Sequence, residues 1–367
     1  MIYLAGLMRV AIDARHLGQG RGIARYLEQM LAALAAGFPE DDWVAVVPRD
    51  REAVVPDGVE LRRSRLPSKA LFSSAALTGL PRIDRLAGGA DVVWIPAPAP
   101  VACGRKTPYV LTIHDLSFEL APEDFTSYER RWHRAARPRR LAARAAEVVV
   151  DSEATRRALL DADWPIDPTR VTVVYAAPSA AVSGSADRPT DRSDAAGYLL
   201  YVGALEPRKG IETLAEAVTE ARKAGLRAPL LVVGEGRLAA SLEGLPGVRL
   251  IGRQSDAELK ELYSGALALV MPSTLEGFGL PPVEAATHGV PSVVSDLPIF
   301  EETLGKAMLS FPVNDSAALA KALVLISGDA KLRAKLGSEA QDAARKLTWA
   351  ASAQELRSVL LSAASRR

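Results

Sequence analysis

The chain has 367 residues, with 45 Lys and Arg against 44 Asp and Glu and a net charge of +1. That length exceeds what one hydrophobic core usually organises, so two domains of roughly 150 to 200 residues each are expected, and the balanced charge gives no reason to expect a nucleic-acid partner or a strongly acidic substrate. The single cysteine, Cys103, excludes an intrachain disulfide and a cysteine-based metal cluster and suits a cytoplasmic setting.

The amino-terminal run MIYLAGLM reaches Arg9 after eight residues. It is too short for a secretory leader or a membrane span, and no other uncharged apolar run approaches the ~18 residues a span needs. A soluble or peripheral protein is expected. RVAID near 9 then begins a series of short Val- and Ile-rich runs separated by helical patterns, continuing with WVAVVP near 43, DVVWIP near 91, YVLTIHD near 109, EVVVDS near 147 and VTVVYAA near 171. Such runs are the signature of parallel strands buried on both faces. After the first, Gly18, Gly20 and Gly22 precede a helix whose Leu27, Met30, Leu31 and Leu34 share a face. The spacing is GxGxG rather than GxGxxG, no acid ends the next strand, and no GxxxxGK[ST] occurs, so neither a dinucleotide fingerprint nor a P-loop is met. A loop that meets a diphosphate or an acceptor and plain turn chemistry account for it equally.

His114 and Asp115 directly follow the YVLTI run, at the carboxyl edge of a sheet, where an imidazole serves either a ligand hydroxyl or phosphate oxygen or the local packing. His16, His133 and His288 form no metal-ligand spacing. The segment 128–147, YERRWHRAARPRRLAARAAE, holds seven arginines. It reads as a solvated helix face or as a surface for an anionic membrane or a lipid phosphate. Asp161 and Asp163 form D-x-D away from any strand end, and no metal is expected there.

Small polar residues and prolines without apolar periodicity fill 177–197, where the domain boundary is placed. The expected division is a first domain over 1–180, a linker or mobile loop over 181–197, a second domain over 198–345 and a closing helix over 346–367 that returns to the first domain. Strand runs resume with YLLYVG near 198, PLLVVGE near 229, VRLIG near 248, ALALVMPS near 266, PSVVSD near 291 and AMLSFP near 307. The fold class is therefore α/β, two doubly wound Rossmann-like domains facing across a cleft, with ligands at the carboxyl ends of the strands. VGALEPRKG places Arg208 and Lys209 at the start of a helix buried through Ile211, Leu214, Ala215 and Val218. Cations beside unpaired amides are unfavourable there unless they point into water or an anion such as a diphosphate joins them. PSTLEGFGLPPVE supplies Glu276 and Glu284, with seven residues between them, on a glycine turn and a proline-opened helix that follow a strand. Helix electrostatics alone would explain Glu284, and a solvated loop Glu276. Together they suit a polyhydroxylated ligand carrying phosphate, since carboxylates accept from vicinal hydroxyls and glycine amides approach closely.

With these motifs the chain resembles the retaining glycosyltransferases of family 4, of the GT-B fold, over nearly its whole length. The resemblance is carried by GIARY, IHDLSFELAPEDF, VVVDSEATRRALL, VGALEPRKG, LIGRQSDAEL, PSTLEGFGLPPVEAATHGVPSVVSD and LPIFEE. The wording is most similar to bacterial mannosyltransferase-type members that build cell-surface polysaccharide. The resemblance implies that Glu284 holds the donor ribose, that Glu276 with the Gly277, Phe278 and Gly279 backbone holds the transferred sugar, that Arg208 and Lys209 neutralise the diphosphate, and that His114 faces the sugar. Gly203, Gly252 and Arg253 join the donor site, segment 250–258 lining the base, and Gly20 and Gly22 supply the first domain's loop. Many members have an arginine where this chain has Ala204, which shifts phosphate charge onto Arg208. The implied activity is metal-independent transfer of a hexose, with GDP-mannose as the donor expected, to a glycan or lipid-linked acceptor at the cytoplasmic side, with no cofactor and with peripheral membrane contact through 128–147. A nucleotide-sugar epimerase, a phosphorylase or a non-catalytic nucleotide-sugar-binding protein are the alternatives.

Overall fold

The computed structural model describes residues 7–19, 22–184 and 197–366. It divides into two compact units, Met1–Ala176 with Trp349–Arg367, and Ala177–Thr348.

The first unit is built on seven strands, β1 (Arg9–Asp13), β2 (Asp42–Val47), β3 (Val59–Arg63), β4 (Val92–Ile95), β5 (Tyr109–Ile113), β6 (Glu147–Val150) and β7 (Val171–Val173). All pair in parallel, in the order β3-β2-β1-β4-β5-β6-β7. The apolar runs lie at its centre because helices cover both faces, leaving no solvent side for polar alternation. β3 is a strand that the apolar runs do not announce. Its sequence, VELRR, buries only Val59, and it pairs with β2 alone at the sheet edge, where charge protects against further pairing. The helix Gly22–Gly37 buries Leu27, Met30, Leu31 and Leu34 completely, as their spacing requires.

The second unit carries β8 (Tyr198–Val202), β9 (Leu230–Val233), β10 (Val248–Gly252), β11 (Ala266–Met271), β12 (Ser292–Ser295) and β13 (Met308–Phe311), parallel in the order β10-β9-β8-β11-β12-β13. Each coincides with an apolar run of the sequence. Of the expected linker, residues 185–196 lie outside the described residues. The part before them is not an exposed connection: Val182 is wholly buried among Leu200, Tyr263 and Val290, and the Gly184 amide donates to Thr287 Oγ1 at 3.0 Å. Small Ala and Ser side chains read as linker composition, yet they also allow a chain to pack closely.

The Ala- and Leu-rich end of the chain folds as three helices, Ser316–Gly328, Ala330–Ala344 and Trp349–Ala364. The first two belong to the second unit, and the third lies against the Gly22–Gly37 helix in the first. Arg357 fixes it there: Nε donates to Asp41 Oδ2 at 2.6 Å, Nη2 reaches Glu40 at 3.3 Å, and the guanidinium lies over the Phe38 ring. The Asp41 side chain is 0% exposed and also accepts from the Met8 amide. Among the described residues no helix is long and apolar enough to cross a membrane.

Removing one partner of a buried ion pair strands the other charge. Arg357→Ala is therefore expected to lower the unfolding free energy of the first unit by about 3 to 5 kcal/mol in urea titrations, and a loss under ~1 kcal/mol would show that Asp41 does not need its guanidinium.

Candidate functional site

In the second unit two loops at the carboxyl ends of neighbouring strands are locked together. Arg208 and Lys209 lie in a single 3-10 turn, Pro207–Lys209, just before the helix Ile211–Lys223. Gly210, the residue between, has φ +66°, and a Cβ on it would stand 1.9 Å from the Pro272 carbonyl oxygen. Only glycine fits this position. The contact brings EPRKG beside PSTLEGFG, and the Thr274 amide completes it by donating to the Arg208 carbonyl at 2.9 Å.

The consequence is an ion pair. Lys209 Nζ lies 2.5 Å from Glu276 Oε2, to which Ser273 Oγ also donates at 3.1 Å, and both charged side chains are nearly covered, at 11% and 12% exposure. Lys209 thus has its countercharge within the protein. Arg208 is half-buried and has no ion-pair partner among the described residues. After Glu276 the chain passes buried Phe278 and Gly279, whose φ of +80° and closeness to Phe300 exclude a side chain, and enters the helix Leu280–Thr287 with Pro281 in its first turn. Glu284 lies on that helix at 2% exposure, its Oε2 accepting from Tyr263 OH at 2.8 Å.

The other residues named from the sequence divide. Gly203 follows β8, and Gly252 ends β10 with φ +68°. Their edges are joined, since the Gly234 amide between them donates to the Gly252 carbonyl and the Gly203 amide to Val233. Arg253 extends outward to Glu235 at 3.2 Å, an exposed pair of small energetic weight. Gly277 lies in the same turn as Glu276. Gly20 lies outside the described residues, and Gly22 opens its helix. His288 is held by packing, with Ser264 Oγ at 2.8 Å and the Val182 carbonyl at 2.6 Å, and His133 stacks on Phe118 and meets Phe125 edge-on.

In the first unit His114 follows β5, and Asp151 follows β6. The register pairs Ile113 with Val150, so the next residues come side by side, and His114 Nδ1 meets Asp151 Oδ2 at 2.5 Å. Tyr26 packs edge-on against the imidazole at 4.8 Å and against Trp349 of the closing helix at 5.6 Å. Asp13, ending β1, is paired with Arg15 at 2.7 Å, both buried. Asp151, Tyr26, Tyr263 and Ser273 are not singled out by the sequence reading. Asp151 has a signal in hindsight, since it follows the VVV of β6 just as His114 follows β5; Tyr263 has none.

Burial alone would push His114 down, but the Asp151 carboxylate, through charge and hydrogen bond, and Asp115 outweigh it and raise its pKa above the ordinary 6.5. His16 goes the other way. Burial, aided by the positive charges of Arg15 and His114 and opposed by Asp13, lowers it to about 4. The signs of the linked stability differ accordingly. The His114 contribution is full below pH 6.5 and is lost as pH rises through its folded-state pKa. That of neutral His16 is full above 6.5 and is lost as pH falls toward about 4. His16→Asn should flatten stability between those limits, and Asp151→Asn should move the His114 titration, followed by imidazole proton NMR, to lower pH. An unmoved titration would separate the two side chains.

Comparison with known proteins adds two family models, the Glycosyl transferase 4-like domain over residues 21–177 and Glycosyl transferases group 1 over residues 186–343. The chain is 34% identical over 167 residues to the O-antigen chain mannosyltransferase B of Escherichia coli, covering 42% of each. It is 30% identical over 169 residues to an O-antigen chain mannosyltransferase of Salmonella typhimurium, covering 44% of this chain and 45% of that one. The matched part thus spans under half the length of these relatives. Among solved structures, sucrose-phosphate synthase from Thermosynechococcus elongatus superposes with a TM-score of 0.75 at 19% identity, over 96% of this chain and 98% of the other.

Proposed function

We propose that this chain, which belongs to the family 4 glycosyltransferases of the GT-B fold, moves a hexose from a nucleotide diphosphate sugar to a hydroxyl of a glycan or glycolipid acceptor, with retention at the anomeric carbon and without a metal ion. Mannose from GDP-mannose is the assigned donor, supported by the two mannosyltransferase relatives. The observation that carries the reading is the contact of Lys209 with Glu276, which sets a cation for the leaving diphosphate beside a carboxylate for the sugar hydroxyls.

Breaking the anomeric bond leaves negative charge on the diphosphate oxygen. In this reading Arg208, with no competing carboxylate, and Lys209 neutralise it, and charges fixed before the reaction need no reorganisation as it proceeds. The acceptor proton passes to that phosphate oxygen. Glu276 accepts from the hexose hydroxyls, while Lys209 and Ser273 orient it. Glu284, oriented by Tyr263, accepts from the ribose. The role assigned to His114 is a hydrogen bond to the sugar, with Asp151 fixing its ring.

Glu284→Ala removes a charged acceptor worth about 1.5 to 3 kcal/mol, so calorimetry should show GDP-mannose bound roughly ten- to a hundredfold more weakly. Unchanged affinity in a folded variant takes Glu284 out of the site. Lys209→Ala should cut turnover roughly a hundredfold or more, as loss of one preorganised charge does, and wild-type turnover would remove Lys209 from the mechanism. A thermal-shift panel of GDP-mannose, UDP-glucose, UDP-GlcNAc and dTDP-rhamnose tests the donor. Donor consumed without an acceptor would mean epimerisation, and binding without transfer to any acceptor would mean a binding protein.

A further inference from the structure

The arginine-rich segment 128–147 does not form one helix. It breaks at Arg137, whose φ is +49°, between the helices Ser127–Ala136 and Pro138–Arg144. Arg137, Arg140 and Arg144 then recur at helical spacing with Leu141, and all four line a cavity of about 1210 Å³ in the first unit. Arg139, off that face, instead hydrogen-bonds Glu119 at 3.2 Å and lies over the Trp164 ring. Arg105 and Lys106, from the connection between β4 and β5, also line it, as do Arg170 and Arg366.

No carboxylate lines this cavity among the described residues. Arg366 is paired with Glu147 at 2.7 Å and Arg170 with Asp167 at 3.8 Å. Arg105, Lys106, Arg137, Arg140 and Arg144 have no ion-pair partner among the described residues. In a chain whose net charge is +1, such a one-signed concentration is not a consequence of composition. Like charges around one concavity repel, and its walls focus their field, so the arrangement is poised for an anion. Forked guanidinium groups match phosphate oxygens in particular. Between the cations the lining is apolar, including Ile95, Val101 and Leu141, which strengthens the field they exert.

The cationic end lies at the amino ends of β5, β6 and β7, beside Tyr109, Ala146 and Arg170. His114 lies past the opposite end of β5, five residues from Tyr109, or roughly 16 Å along a strand. We propose that the cationic end of this cavity, at the amino ends of β5, β6 and β7, binds a phosphate- or diphosphate-bearing ligand. The site stands on its own charge and shape and does not depend on the donor assignment. The group belongs either to a free phosphorylated molecule or to a lipid headgroup, the second favoured by Leu77 and Leu80, exposed at 85% and 53% on either side of the cavity-lining Gly79.

The test titrates the full chain with inorganic pyrophosphate by calorimetry and, separately, sediments it with phosphatidylglycerol and phosphatidylcholine vesicles. Arg140→Ala/Arg144→Ala and, from the connection between β4 and β5, Arg105→Ala/Lys106→Ala are compared with wild type. These side chains are exposed, and unchanged melting confirms that the variants fold. At least one probe should bind wild type, and both double variants should lose tenfold or more of that binding while GDP binding is unchanged. Loss confined to pyrophosphate assigns a free ligand, and loss confined to phosphatidylglycerol vesicles assigns a headgroup. Failure of both probes to bind wild type, or equal binding by wild type and both variants, overturns the proposal.

Discussion

Parallel strands buried on both faces have no place for a charge along their length, so the polar groups of each unit collect where strands end. In the first unit Asp13 closes β1, His114 follows β5 and Asp151 follows β6. In the second, the EPRKG loop follows β8 and Glu276 lies on the loop after β11. Strand order and register then decide which of these groups become neighbours. β5 and β6 are adjacent and in step, so His114 and Asp151 meet. β8 and β11 are adjacent at the centre of their sheet, so Lys209 and Glu276 meet.

Both meetings are constrained by the cost of burying charge. An uncompensated ion in a protein interior is far less stable than a paired one, so the buried charged side chains at these edges are found in pairs or with hydroxyl donors. Lys209 and Glu276 share their charge and Ser273 adds a donor; Asp13 holds Arg15; Asp151 holds His114. Pairing also orients each side chain before any ligand arrives. The close approach that makes the central pair depends on Gly210 more than on either charged residue, because any Cβ there would overlap the Pro272 carbonyl.

The closing helix ties the end of the chain to its beginning. Trp349 touches Tyr26, Tyr26 touches His114, and Arg357 satisfies the buried Asp41. The last helix is therefore part of the environment of His114 although some 235 residues separate Trp349 from it in sequence. At the other end of the same sheet Arg137, Arg140 and Arg144 line a cavity of one sign and have no ion-pair partner among the described residues.

Much of this was legible in the chain itself. Apolar runs marked twelve of the thirteen strands, and the spacing of Leu27, Met30, Leu31 and Leu34 marked the first helix, because burial on both faces or on one helical stripe leaves a periodic trace. The motifs around Glu276 and Lys209 were visible because glycine, proline and charge occur there in fixed spacing. β3 was not, since an edge strand carries charge in place of apolar residues. The pairing of Lys209 with Glu276, the shielding of Glu284 by Tyr263, the partnership of Asp151 with His114 and the break at Arg137 came only with the tertiary structure. Local sequence determines what each element is and which residues end it. Register, strand order and the fit of one loop against another decide which of those residues touch, and these depend on contacts between segments far apart in the chain.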